Sequence, residues 1–403
     1  MKSTVPKIFL MGLAWLALSC GPPQGGVETT RKTGGGTTSI QAPGSGGSGG
    51  TTTPTSYKIM FESRELSATS SYISHLKTMN FDGSNVETLI SGSDFPDLIA
   101  SEASPNGQYI AFLSQKVDKN STSLDTKLHL WIYDRQNKIF SRLTNLDNIF
   151  CQIYSGFSGD PNRCLSWSSD NSEIVFVVGS TPDRKIYKVS ISAPLQPSII
   201  SSQPTADNID PYFSPQGKRI VFISMYDNRT KSELWLRDEQ GNFTSLIPKG
   251  DYIASPIWSP DGSKIAFTQG LNGVSAKTKY IVLQTKAVSV IGSTQSAIGD
   301  FTPDWSPDNK RVVFTSFDPN GNHNDSRQVN YFDFSTNQTQ GLVNPNWEPG
   351  RCADPHWLNN DEVIYLSDTT GNSSLNLYSV KIQQQPRRLT TNFINLLPRI
   401  LKY

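Results

Sequence analysis

The sequence predicts an all-β fold, a closed ring of four-stranded antiparallel sheets, on three observations. A short turn motif recurs at near-constant spacing. Most copies are followed by a strand that alternates apolar and polar residues. The two chain ends supply complementary parts of one incomplete unit.

The motif is clearest in Pro256-Ile257-Trp258-Ser259-Pro260-Asp261-Gly262-Ser263-Lys264-Ile265-Ala266-Phe267. Proline biases the residue before it toward extended backbone, so the approach to the turn reads as strand. Pro260 fixes φ at the first central turn position, Asp261 can bond the backbone beyond it, and Gly262 tolerates positive φ. Lys264 to Phe267 then leaves as a second strand. Close copies start at Pro211 and Pro303, and weaker ones run through Ala103–Phe112, Trp167–Phe176 and Pro355–Tyr365. Turn positions 107, 171, 217, 262 and 309 are 64, 46, 45 and 47 residues apart.

Third strands follow at Leu128–Asp134, Ile186–Ser190, Glu233–Asp238 and Leu375–Val380, and short fourth strands at Arg142–Thr144 and Arg387–Thr390. Period-two alternation between turn residues argues for antiparallel sheet. Four strands per repeat of about 45–50 residues is the blade of a β-propeller. Tyr57–Phe61 reads as a second strand without a first, and Asn395–Leu401 as a first strand with nothing after it. Pairing them closes the ring and removes exposed sheet edges. The expectation is seven blades, or six if the divergent unit around Trp167 is not a blade of its own.

The Ser-Pro-Asp-Gly repeat resembles the TolB-like propellers of the Pro-Asp, WD-repeat-like class. The resemblance covers residues 57–403. It implies the fold, and its motif is weak evidence for function.

The 403 residues carry 36 Lys and Arg against 35 Asp and Glu, a net charge of +1. No field of that size recruits nucleic acid. Residues 1–19 read as a lipoprotein signal peptide: a basic start, the eleven-residue apolar run Ile8–Leu18, then Ser19-Cys20-Gly21. The run is too short for a membrane span and suits a signal core. By resemblance to a lipobox, Cys20 is the expected acylation site, and Gly21 after it favours the outer membrane. Residues 20–56 hold Cys20 and a Gly, Ser, Thr and Pro tether, whose coil reach is roughly 30–35 Å. Residues 57–403 form the propeller.

Turns between first and second strands keep their length, whereas the connections on the opposite face vary. These are Gln115–Lys127, Met225–Ser232, Gln269–Lys279, Phe317–Gln328, Asn145–Arg163 and Asn344–Ala353. Variable loops on a rigid scaffold are where binding concentrates. Candidate rim residues are Phe150, Tyr154, Phe157, Trp347, Arg351, Asp354 and His356. Packing over their own loops is the alternative for the aromatics. Export meets an oxidising compartment, and Cys151–Cys164 is the pairing expected over any with Cys352, although spacing alone does not fix connectivity. Trp167, Trp258, Trp305 and Trp357 share one repeat position and are expected between blades.

No catalytic set emerges. The Gly-x-Ser-x-Gly match at Gly46–Gly50 lies in the tether, without the strand and helix a nucleophile elbow needs. No cofactor and no metal are expected. The leading expectation is a lipid-anchored, non-enzymatic scaffold that binds another envelope protein, facing periplasm or cell surface. The alternative is a carbohydrate-binding or polysaccharide-lyase-like propeller, which needs a metal or a basic residue in the central channel near His356.

Overall fold

Seven antiparallel sheets follow one another around a ring. The computed structural model describes residues 56–67, 72–121, 123–151, 164–201, 207–270, 276–291, 299–318, 326–343, 352–368, 375–391 and 394–403, all within the unit Ser56–Tyr403. Named from the channel outward, blade 2 is Ile99–Ala103, Tyr109–Ser114, His129–Asp134 and Ile139–Arg142. The inner strands of blades 3 to 7 are Leu165–Trp167, Asp207–Phe213, Ile253–Trp258, Gly299–Trp305 and Cys352–Trp357. Each inner strand contacts the next around the ring.

Blade 1 is composite, as the chain ends predict. Its inner strand is the C-terminal Ile394–Lys402, paired antiparallel with Tyr57–Leu66, and Tyr72–Met79 and Glu87–Ile90 lie outside them. The unit around Trp167 is a full blade, so the count is seven. It carries one extra short strand, Ile149–Phe150, paired with Val177 and Val178 inside what the sequence reads as loop.

The serine, the aspartate and the last turn residue of the motif each have a structural reason. The Ser259 hydroxyl donates to Asp261 Oδ1 at 2.6 Å and accepts the Lys264 amide at 2.9 Å. Ser168 and Ser306 do the same in their blades. Asp261 also accepts from the Ser263 amide at 2.9 Å. Burial pushes the Asp261 carboxyl up, but the bonds from Ser259 and Ser263 hold it below the usual carboxylate range. Where asparagine replaces the turn glycine, its side chain ties two blades. Asn309 adopts φ +62° and its Oδ1 accepts the Asp261 amide at 3.0 Å, and Asn171 accepts that of Asn106 at 2.8 Å.

The aromatic that ends the motif is the core. Phe61, Phe112, Phe176, Phe222, Phe267, Phe314 and Tyr365 are all 2% exposed or less, one in each blade. Second strands are buried on both faces, as in Tyr109–Ser114, while outer strands such as Val288–Val290 and Gln338–Gly341 are exposed. That gradient is why second strands read as continuous apolar runs.

The strands run further into the connections than alternation predicts. Met225–Ser232 reduces to a turn at Asp227–Thr230, because Tyr226 still pairs with Lys231. Polar side chains at these ends do not interrupt backbone pairing. The fourth strand of blade 2 is Ile139–Arg142, earlier than Arg142–Thr144, since Asp134 Oδ1 accepts the amides of Gln136 and Asn137 and tightens the preceding turn.

Candidate functional site

The inner strands share one irregularity. Pairing with the second strand slips between Ile99 and Glu102, Ile209 and Tyr212, Ala254 and Ile257, Phe301 and Asp304, and Ala353 and His356. Each slip is a β-bulge holding one residue at positive φ: Ala100, Asp210, Ser255, Thr302 and Asp354, all between 48° and 55°. Left-handed backbone costs a non-glycine residue about 1–2 kcal/mol. In four of the five the next residue is proline (Pro211, Pro256, Pro303, Pro355), which has no amide hydrogen for the ladder to lose. The C-terminal strand slips likewise around Pro398, between Leu396 and Arg399.

A bulge re-aims the side chain beyond it. The residue just past it is Arg399 in blade 1, Glu102 in blade 2, Tyr212 in blade 4, Ile257 in blade 5, Asp304 in blade 6 and His356 in blade 7. Ser166, before Trp167, stands at the same place in blade 3. These seven line two adjoining channel pockets. The one that holds His356 and Arg399 is completed by Asp210, Ser255, Thr302 and Asp354. One repeat position thus rings the channel, with a charged arc over four consecutive blades and an uncharged arc over three.

The charged arc is bonded end to end. His356 Nδ1 lies 3.3 Å from Asp304 Oδ2, and His356 Nε2 lies 3.0 Å from Asp354 Oδ1. Arg399 Nη1 is 2.7 Å from His356 Nε2, and its Nε is 3.4 Å from Glu102 Oε2. Asp304 Oδ2 also accepts the Trp357 amide at 3.1 Å. Burial pushes the His356 imidazole down, but Asp354 and Asp304 outweigh it and the Arg399 charge, leaving it above the ordinary histidine value. Behind the arc, fully buried Glu62 of blade 1 accepts the Ser101 amide at 2.8 Å and its hydroxyl at 2.9 Å. Burial pushes its carboxyl up, against the Ser101 bonds, Arg64 and Arg399.

This arrangement anchors charge; it does not offer a free base. Both His356 nitrogens face protein groups, so taking a proton from a ligand would first break a bond. Among the described residues no group of three or more His, Cys, Asp or Glu side chains is placed to hold a metal ion.

Asp354 and His356 therefore sit within the channel wall. Phe150 belongs to the extra strand of blade 3, its ring 4.2 Å beneath the fully buried Arg184 guanidinium, which pairs with Asp207. A disulfide joins Cys151 and Cys164, with Cα atoms 5.1 Å apart, and Cys352 is buried outside any disulfide. Cys20, Tyr154, Phe157, Trp347 and Arg351 lie outside the described residues. The repeat tryptophans do pack between blades. The indoles of Trp167, Trp258 and Trp305 donate to the carbonyls of Glu102, Tyr212 and Ile257 of the preceding blade at 3.1, 3.0 and 3.3 Å. Asp304, Glu102 and Arg399 were missed as site residues by sequence reasoning. Of the three only Asp304 precedes a repeat tryptophan; Glu102 and Arg399 precede Ala103 and Ile400, so the repeat position is hidden in their blades.

No family model matches the chain. Over 287 residues, 67% of its length, it is 23% identical to the Tol-Pal system protein TolB of Francisella tularensis subsp. holarctica (strain OSU18), covering 61% of that protein. A 151-residue stretch, 34% of the chain, is 26% identical to the uncharacterized peptidase YuxL of Bacillus subtilis (strain 168), covering 23% of it. The chain thus spans less than two thirds of either relative. Among solved structures, the β-propeller domain of the Trilobed protease from Pyrococcus furiosus aligns with a TM-score of 0.56 at 12% identity, over 83% of this chain and 94% of that one. Such an identity speaks to fold alone. The chain is a β-propeller of seven blades of antiparallel strands, similar in sequence to TolB over two thirds of its own length.

Proposed function

We propose that this chain is a lipid-anchored cell-envelope propeller that serves as a non-enzymatic scaffold for another envelope protein. The observation that carries the reading is its similarity to a protein of the Tol-Pal system. The asymmetry of the ring supports it. Short turns of neighbouring blades bond to each other, Asn106 to Asn171 and Asp261 to Asn309, and the variable connections leave the opposite ends of the strands. Acylation at Cys20 anchors the chain to the outer membrane, and the tether up to residue 56 lets the propeller reach a partner. Tyr154, Phe157, Trp347 and Arg351, on the variable connections, are the proposed contacts, since aromatic and arginine side chains are favoured interface anchors.

Envelope cross-linking followed by mass spectrometry tests this. The expected result is one recurrent partner, lost when Tyr154, Phe157 and Trp347 are changed to alanine. Recovery of the same partners with that triple variant would sink the rim assignment. Cys20→Ala is expected to release the protein from membranes, and a variant still sedimenting with them would remove the anchor from the proposal.

A further inference from the structure

Arg399 and Asp354 compete for a single atom, Nε2 of His356. It lies 2.7 Å from Arg399 Nη1 and 3.0 Å from Asp354 Oδ1. A guanidinium only donates hydrogen bonds, and an ionised carboxylate only accepts them. Nε2 cannot serve both. Without a hydrogen it accepts from Arg399; with one it donates to Asp354 and repels Arg399. Nδ1 faces Asp304 Oδ2 at 3.3 Å and carries a hydrogen in either state. We infer that His356 is a proton-operated switch at the seam of the ring, its neutral form bonding the C-terminal strand to blade 7 through Arg399 and its cationic form releasing that bond.

The surroundings let the switch work without stranding a charge. Asp354 faces His356 from its own strand, Asp304 from blade 6 and Arg399 from the closing strand. Glu102 of blade 2 lies beyond Arg399, with Glu62 and Arg64 behind. A released guanidinium stays within reach of Asp354 Oδ2, 3.8 Å from Nη1, and of Glu102 Oε2, 3.4 Å from Nε. Asp304, Asp354 and Glu102 set three carboxylates against the one guanidinium, so a proton on His356 narrows the imbalance to three against two. The imidazole is held above its ordinary value of 6.5. Its contribution to stability is therefore fully present below that value and lost as pH rises through the higher folded one. Protonation of His356 thus favours the folded state while exchanging the partner of Arg399.

The test is NMR of the intact, ¹⁵N-labelled chain between pH 5 and 9. Neutral His356 is expected as the Nδ1–H tautomer with a midpoint above 6.5, and the Arg399 Nε–H resonance should move with the same midpoint. Arg399→Met removes a neighbouring cation and should raise the His356 midpoint by about one unit. His356→Asn should leave the Arg399 resonance flat across the range. An Nε2–H tautomer in the neutral form, an Arg399 signal that ignores the titration, or one that still moves in His356→Asn would each overturn the inference. If either variant fails to fold, the tautomer and the Arg399 signal of the unaltered protein decide alone.

Discussion

Arg399 reaches Glu102 across the seam of the ring, Nε to Oε2 at 3.4 Å, while its Nη1 holds His356 on the other side at 2.7 Å. One side chain on the last strand therefore links blade 7 to blade 2 across the composite blade. The Arg399 side chain is only 13% exposed. Arg399→Met leaves Glu102 and Asp354 without their cation and is expected to cost about 3 kcal/mol in urea unfolding. Adding Glu102→Gln should recover part of that loss, because the two residues share one interaction. Strict additivity of the two changes would show that the contact carries no coupling.

The same seam makes two turn glycines unequal. Both have positive φ, +74° at Gly107 and +66° at Gly262. A Cβ at Gly262 would meet the end of the Arg219 side chain at 2.9 Å, which can move aside, whereas one at Gly107 would lie 2.0 Å from the Lys402 backbone carbonyl. Gly262→Ala is expected to cost about 1 kcal/mol for its backbone alone. Gly107→Ala should cost more, because the closing strand must shift, and thermal melts of the two variants compare them directly. Equal costs would mean that the C-terminal strand yields freely.

The turn motif, the blade count and the composite blade were legible because each is a local pattern repeated around the ring. Ser259, Asp261 and Phe267 announce their roles through spacing. The charged arc was not legible by the same means. Asp304, His356 and Arg399 occupy one repeat position, but nothing local says that position faces the channel. That orientation comes from the bulge at Thr302, Asp354 and Pro398, where one extra residue turns the side chains beyond it to the other face. Asp354 and His356 are singled out by their chemistry and expected on the rim, with the channel the alternative for His356; the bulge that turns this repeat position into the channel marks the sequence only by the proline after its left-handed residue in four blades. Phe150 reads as loop because a two-residue strand is too short to show alternation.

The interblade tryptophans predict a contrast. Trp258 and Trp357 are 3% and 2% exposed, but Trp258 Nε1 donates to the Tyr212 carbonyl at 3.0 Å and Trp357 Nε1 is buried without a partner. In blade 7 it is the Trp357 backbone amide that crosses to the preceding blade, through Asp304. Changing either to phenylalanine removes similar volume. Only Trp258→Phe also removes a hydrogen bond to the preceding blade, a loss of about 1 kcal/mol. Urea unfolding should therefore rank Trp258→Phe as the more damaging. The reverse order would mean that the indole bond contributes nothing at this interface.

Glu62 supplies the last prediction, and its sign is opposite to that of most native carboxylates. It is fully buried and its Oε2 has no partner. Burial holds its carboxyl above the ordinary value of 4.5, against the Ser101 bonds and the Arg64 and Arg399 charges. The folded state thus binds this proton more tightly than the unfolded chain does. Its contribution is greatest below 4.5 and is lost as pH rises through the higher folded value. Glu62→Gln keeps an oxygen for Ser101 and has no charge to desolvate. The variant should match the parent at pH 4 and become progressively the more stable of the two toward pH 8, read from urea midpoints across that range. A parent that gains on the variant as pH rises would place Glu62 as an ionised partner of Arg399, and would extend the charged arc into blade 1.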